Sequence, residues 1–169
     1  MKKVILTLMV FALAIGMLAC QTDNGNTTTP PDNNLEGSLE SILESIYQNA
    51  DVDESFRNFI EEGLYTTEIT EDRVDYYLGK DDIEYKEGIA SEPIMSPGAY
   101  SLCLVRVKDG ADIEQIKTDI AENVDPMKWI CVGVDPSNII VDNIGDVVFL
   151  LMSDQETQTL YNAFLALAD

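Results

Sequence analysis

Apolar positions along the chain fall into two periods, one of two residues and one of three to four. The densest stretch is Tyr100–Val132. Tyr100-Ser-Leu-Cys-Leu-Val-Arg-Val107 carries Leu102 and Leu104 on one side of an extended chain and Cys103, Val105 and Val107 on the other. Apolar residues on both faces predict a central strand covered above and below. The chain turns at Lys108-Asp-Gly110. Ile113, Ile116, Ile120 and Val124 then recur at helical spacing. Asp125-Pro126 ends that helix, because the residue before proline is pushed out of the helical region. Trp129-Ile-Cys-Val132 reads as a returning strand or buried connection.

The same reading extends outward from this stretch. Leu39, Ile42, Leu43, Ile46 and Tyr47 predict a helix over Gly37–Asn49 with Ser38 as its cap. Phe56, Phe59, Ile60 and Leu64 predict a second over Asp53–Leu64. Thr66–Thr70 is a short β-prone segment. Glu71–Leu78 is expected to be helical and closed by Gly79. Ile83–Met95 is expected to be a strand with an irregular patch around Ala90-Ser-Glu-Pro93, followed by a turn at Ser96-Pro-Gly98 leading into Tyr100. Asn138–Val141 and Val147–Met152 flank Asp142–Asp146 as a hairpin. Ser153-Asp-Gln-Glu156 has the form of a capping box before a last helix, with Leu160, Tyr161, Phe164, Leu165 and Ala168 on its inner face.

Strand–turn–strand–helix therefore occurs twice, over Ile83–Val124 and Asn138–Leu167. The fold class that follows is α+β. It has a mainly antiparallel sheet of four to five strands, helices on one face, and an N-terminal group of short helices at an end or on the second face.

The N-terminus has a different character. Met1-Lys2-Lys3 is basic, and Val4–Ala19 is apolar but short for a membrane span. Met17-Leu-Ala-Cys20 resembles the lipobox of bacterial lipoproteins, with Met17 where leucine is usual. That resemblance implies a signal peptide over 1–19, removed before Cys20. It also implies acyl chains such as palmitate on Cys20, holding the protein to the lipid bilayer on its extracytoplasmic face. An uncleaved anchor or an ordinary secretory signal is the other reading. Gln21–Glu36 is Asn, Asp, Thr, Gly and Pro with one apolar residue, Leu35. It is expected to be a disordered tether from Cys20 through 36, with a reach of about 20–25 Å. Residues 37–169 remain as one domain.

The chain carries a formal charge of −21, and losing Lys2 and Lys3 would make it more acidic. Such a surface repels nucleic acid, so none is expected as a partner. There is no histidine. This removes Ser-His-Asp and Cys-His catalysis and histidine-ligated zinc. No Walker loop, Gly-x-Ser-x-Gly or Gly-x-Gly-x-x-Gly is present, and no cofactor is expected. Cys103 and Cys131 could form a disulfide in an exported protein, but both lie in apolar runs, which favours buried free thiols.

Three pieces of chemistry remain. Asp51-x-Asp53-x-Ser55 with Glu62 has EF-hand spacing, but Phe56 stands where glycine makes the turn, so an N-capping acidic pair is the better reading. Asp142, Asn143 and Asp146 could hold an ion in the hairpin turn, although such residues are ordinary in turns. Ala90-Ser-Glu-Pro-Ile-Met-Ser-Pro-Gly98 places Glu92 between apolar strands beside two prolines. Ser91, Glu92, Met95 and Ser96 are its candidate binding residues; a plain bulged hairpin connection is the alternative.

Four segments also resemble a family of uncharacterised lipoproteins of anaerobic Gram-positive bacteria that carry one domain of unknown function. They are Ala90-Ser-Glu-Pro-Ile-Met-Ser, Val105-Arg-Val-Lys-Asp-Gly-Ala-Asp112, Asn123-Val-Asp-Pro-Met-Lys-Trp-Ile-Cys-Val132 and Ile140-Val-Asp-Asn143. The resemblance spans Leu39 to the C-terminus and implies location and a single domain, with no activity attached. The expectation is a non-catalytic binding or scaffolding module for an unidentified protein or cell-surface ligand. The alternative is a carboxylate-based enzyme or a divalent-ion-dependent module.

Overall fold

The computed structural model describes residues 34–168. The expected signal peptide, Cys20 and most of the tether lie outside them. In chain order the elements are α1 (Leu39–Asn49), α2 (Glu54–Gly63), β1 (Leu64–Glu68), α3 (Val74–Leu78), β2 (Tyr85–Pro93), β3 (Tyr100–Val107), α4 (Ile113–Asn123), β4 (Ile139–Ile144), β5 (Val147–Ser153) and α5 (Thr157–Leu165). The five strands form one antiparallel sheet in the order β1-β2-β3-β5-β4. The α+β class and the repeated hairpin-then-helix order both hold.

The helices cover both faces of the sheet, where one covered face was expected for the two hairpin-linked helices. α1, α2 and α5 pack on the face of Leu102, Leu104, Phe149 and Leu151. α3 and α4 pack on the face of Cys103, Val105, Val148 and Leu150. β3 and β5 dictate this, because every residue of β5 is buried and β3 is apolar on both sides. A sheet with two apolar faces at its centre needs two covers. α4 closes one and α5 the other.

Several local expectations are met. Ser38 caps α1 and Asp53 caps α2 through the N–H of Phe56 at 2.8 Å. Gly79 ends α3 in the left-handed region at φ 80°. A β-carbon there would fall 2.3 Å from the backbone of Asn123 and Val124, so the position also sets how closely α3 approaches the end of α4.

Others are corrected. Residues 71–73 form a turn before α3, closed by Arg73 N–H donating to Thr70 O. The capping box does not form: Ser153 ends β5, its Oγ donates to Gln155 O and accepts from Gln155 N–H, and α5 starts after Glu156 at φ 53° with no side-chain cap. Leu165 is exposed; Leu160, Ala163 and Phe164 are the buried residues of that helix. Trp129–Val132 is an irregular loop, with Ile130 and Cys131 exposed. Cys103 is buried and Cys131 is not, and both thiols are free. The end of the expected tether is tied down, since Arg106 donates to Leu35 O and Gly37 O, and Asp146 N–H donates to Asn34 Oδ1.

Candidate functional site

β2 ends in a polar step that its apolar neighbours do not predict. Side chains alternate along a strand, so Ser91 and Glu92 leave the sheet on opposite faces. Ser91 turns toward α1. Its Oγ accepts from Tyr47 OH at 2.8 Å, and Tyr47 OH also meets Tyr100 OH at 3.0 Å. Burial pushes the Tyr47 phenol up to about 12, even though its hydrogen bonds with Ser91 and Tyr100 act in the opposite direction. The group is a closed hydrogen-bond set inside the α1 face.

Glu92 turns the other way and meets Lys128, from the loop after α4. Lys128 Nζ lies 2.9 Å from Glu92 Oε1, and the two side chains are 3% and 6% exposed. The ammonium hydrogen-bonds to Ser101 Oγ at 3.1 Å, and its contact with Glu92 Oε1 is an ionic one outside hydrogen-bond geometry. Rings complete the seat: Nζ stands 4.7 Å from the centroid of Tyr76, 5.2 Å from Tyr77 and 5.1 Å from Trp129. Quadrupoles of three rings and one carboxylate compensate the ammonium where water is excluded. Burial first, and then the charge of Glu92, push the Tyr76 and Tyr77 phenols up to about 12. Burial also raises the Cys103 thiol, against the influence of Lys128, and so keeps it in the inert protonated form.

Above this pair an open cleft of about 420 Å³ reaches the surface. Its floor includes Glu92, Lys128 and Trp129. Its rim includes Tyr65, Ile94, Met95 and Ile130. Met95 is 79% exposed, Ile130 75% and Ile94 59%. Trp129 Nε1 is shielded from solvent and has no acceptor among the described residues. A buried donor without a partner costs free energy that an incoming acceptor can recover.

The structure therefore divides the residues singled out in the sequence. Glu92, Met95 and Ser96 line one cleft, and Ser91 lies behind the sheet from them. The missing members are Lys128, Trp129, Ile130, Tyr65 and Tyr76. The signal for Lys128 was its place as a lone cation between Met127 and Trp129-Ile-Cys-Val132. A neighbouring hollow of about 480 Å³ beside Phe56, Phe59 and Tyr100 is larger, but it has no buried charged group to orient a ligand.

The hairpin candidates are arranged differently from the expected turn. Asp142 and Asn143 belong to β4, and Gly145-Asp146 alone makes the connection. Asp142 accepts from Tyr161 OH and stands 3.6 Å from Lys117. Burial works against ionisation of Asp142, yet these partners and the Asn143 N–H hold its carboxyl below the usual value. Asp146 takes two hydrogen bonds from Arg106 at 2.9 and 3.2 Å. Among the described residues, no group of three or more Cys, Asp or Glu side chains converges on one point.

No family model, curated protein or solved structure matches this chain.

Proposed function

We propose that this is a lipid-anchored extracytoplasmic binding module whose ligand seat is the cleft above Glu92 and Lys128. One observation carries the reading. Four of the six large apolar side chains that stand exposed among the described residues line this single cleft, and Met127 sits on the same loop. Isolated exposed apolar residues are ordinary, whereas a cluster of them around a concave site marks binding. The floor adds specificity, because a buried ion pair and an unpaired indole N–H discriminate among polar groups. The likeness of Met17-Leu-Ala-Cys20 to a lipobox supports the anchor, and the resemblance to Gram-positive lipoproteins agrees with it.

The reading is non-catalytic. The one buried carboxylate in the cleft is bound to a lysine and is not paired with a second acid, so it is not poised to move a proton.

Two experiments test the two halves. Cells producing the chain incorporate radiolabelled palmitate, and Cys20→Ser abolishes both the label and membrane retention; unchanged labelling refutes the anchor. A photo-crosslinking phenylalanine analogue at Ile130 gives discrete adducts on intact cells, and the same analogue at the exposed Leu165 does not. Equal adduct patterns from both positions refute the cleft as the seat.

A further inference from the structure

The cleft opens beside an unpaired edge of the sheet. β1 is the outer strand, and among the described residues no strand lies beyond it. Ile94 N–H donates to Gly63 O and Ile69 N–H to Gly88 O, both at 2.8 Å. Antiparallel alternation from these two fixed points turns the backbone of Tyr65 and Thr67 toward β2. It turns the N–H and C=O groups of Leu64, Thr66 and Glu68 outward. The other edge strand, β4, packs against α4.

The two ends of β1 differ in chemistry. Tyr65, 43% exposed, forms one wall of the apolar cleft. At the other end Glu68 enters an open groove of about 830 Å³ with Glu71, Asp81, Asp82, Glu84 and Glu87. The two lysines of that groove are committed to Asp109 and Glu84. A negative field therefore lies at one end of the edge and an apolar socket at the other, with Tyr65 and Glu68 three residues or roughly 10 Å apart.

We infer that β1 takes up an extended, cationic peptide segment as a sixth strand. Backbone groups of Leu64, Thr66 and Glu68 pair with the segment. The segment's residue opposite Tyr65 sets an apolar side chain over the cleft, and lysine or arginine further along meets the Glu68–Glu71 groove. The bare edge calls for a partner in extended conformation, since only a strand can use its outward donors and acceptors; the acidic groove selects a cationic segment over a second copy of this acidic chain. The acidic flank argues against an anionic membrane as occupant. This inference rests on the cleft being the binding seat and goes beyond it by naming the class of ligand.

The test is selection of a random dodecapeptide phage library on the full chain, followed by synthesis of the selected peptides. The expected peptides alternate apolar and β-branched residues and carry lysine or arginine toward one end. Their binding weakens about tenfold or more when alternate peptide nitrogens are methylated, because side chains are kept and strand pairing is lost. Thr66→Pro gives a similar loss without touching the β2 ladder, with the native fold confirmed by circular dichroism. Raising salt weakens binding further. Selected peptides that ignore both N-methylation and Thr66→Pro but fail against Ile130→Lys overturn the strand pairing and leave the cleft standing. Peptides that lose binding on N-methylation yet bind Ile130→Lys unchanged keep the strand pairing and refute the cleft. No enrichment, concentration-dependent dimers lost in Thr66→Pro, or binding to phosphatidylcholine vesicles instead of peptides each overturn the inference.

Discussion

Glu92 on β2 and Lys128 on the loop after α4 meet at 2.9 Å with both side chains almost fully withdrawn from water. Desolvating two charges is costly, and their attraction offsets that cost only when the remaining groups are satisfied. Here Ser101 and three rings supply the satisfaction for the lysine. The pair also fixes where the Asp125–Val132 loop lies, and with it Trp129 and Ile130 on the cleft.

Removing one partner is therefore expected to hurt more than removing both. Lys128→Met leaves a buried carboxylate uncompensated and is expected to cost about 3–5 kcal/mol in urea unfolding. Adding Glu92→Gln to Lys128→Met is expected to recover most of that loss. Additive losses in the double variant would show that the two groups do not act as a pair.

Arg106 holds the start of the domain by a comparable device. Its guanidinium bonds Glu87, Asp146, Leu35 O and Gly37 O, with the side chain 14% exposed. Lysine has the charge but not the planar fork. Arg106→Lys is expected to cost about 1–3 kcal/mol and, more tellingly, to release residues 34–37. Hydrogen exchange at the Asp146 amide, which donates to Asn34 Oδ1, reads the release; protection equal to wild type would show that the segment is held without Arg106.

The tyrosines of the seat predict behaviour at alkaline pH. Burial, and then the charge of Glu92, push the Tyr76 and Tyr77 phenols up to about 12 in the folded chain, against 10.0 for ordinary phenols. An acid whose folded value is raised keeps its proton in the folded state while the unfolded state loses one. Stability is then fully present below about pH 10 and is lost as pH climbs toward 12. Absorbance at 295 nm is expected to rise late in the native chain and at about pH 10 in urea. Coincident curves would remove burial as the cause.

How much of this was legible follows from period. β3 announces itself, since its two apolar faces need no partner to be recognised, and the two hairpins follow from turn residues at Pro97-Gly98 and Gly145. Period two also separates Ser91 from Glu92, so pairing them in one site ignored the strand that contains them. Which face each helix would take was not legible, because the period marks a buried side without saying which sheet face it meets. Lys128 was not legible either. A lysine amid apolar residues reaches solvent or a carboxylate according to what packs against it, and Glu92 lies far away in sequence on another element.

Two glycines separate conformational strain from steric overlap, and the comparison reaches the cleft. Gly79 and Gly110 both sit at φ 80°. At Gly110 an added β-carbon would meet nothing within 4 Å, so Gly110→Ala should cost only the left-handed penalty, about 1–2 kcal/mol. At Gly79 the same atom would fall 2.3 Å from the backbone of Asn123 and Val124. That backbone has no rotamer with which to yield, so α3 and the end of α4 must separate. Gly79→Ala is expected to lose clearly more than Gly110→Ala in thermal unfolding. Because the chain runs from Val124 directly into the loop bearing Lys128, the same separation should draw the ammonium from the rings of Tyr76 and Tyr77. Trp129 fluorescence, in contact with that ammonium, is expected to change in Gly79→Ala and to stay as wild type in Gly110→Ala. Equal losses at the two glycines, with unchanged fluorescence in both, would mean that α3 packing does not position the cleft floor.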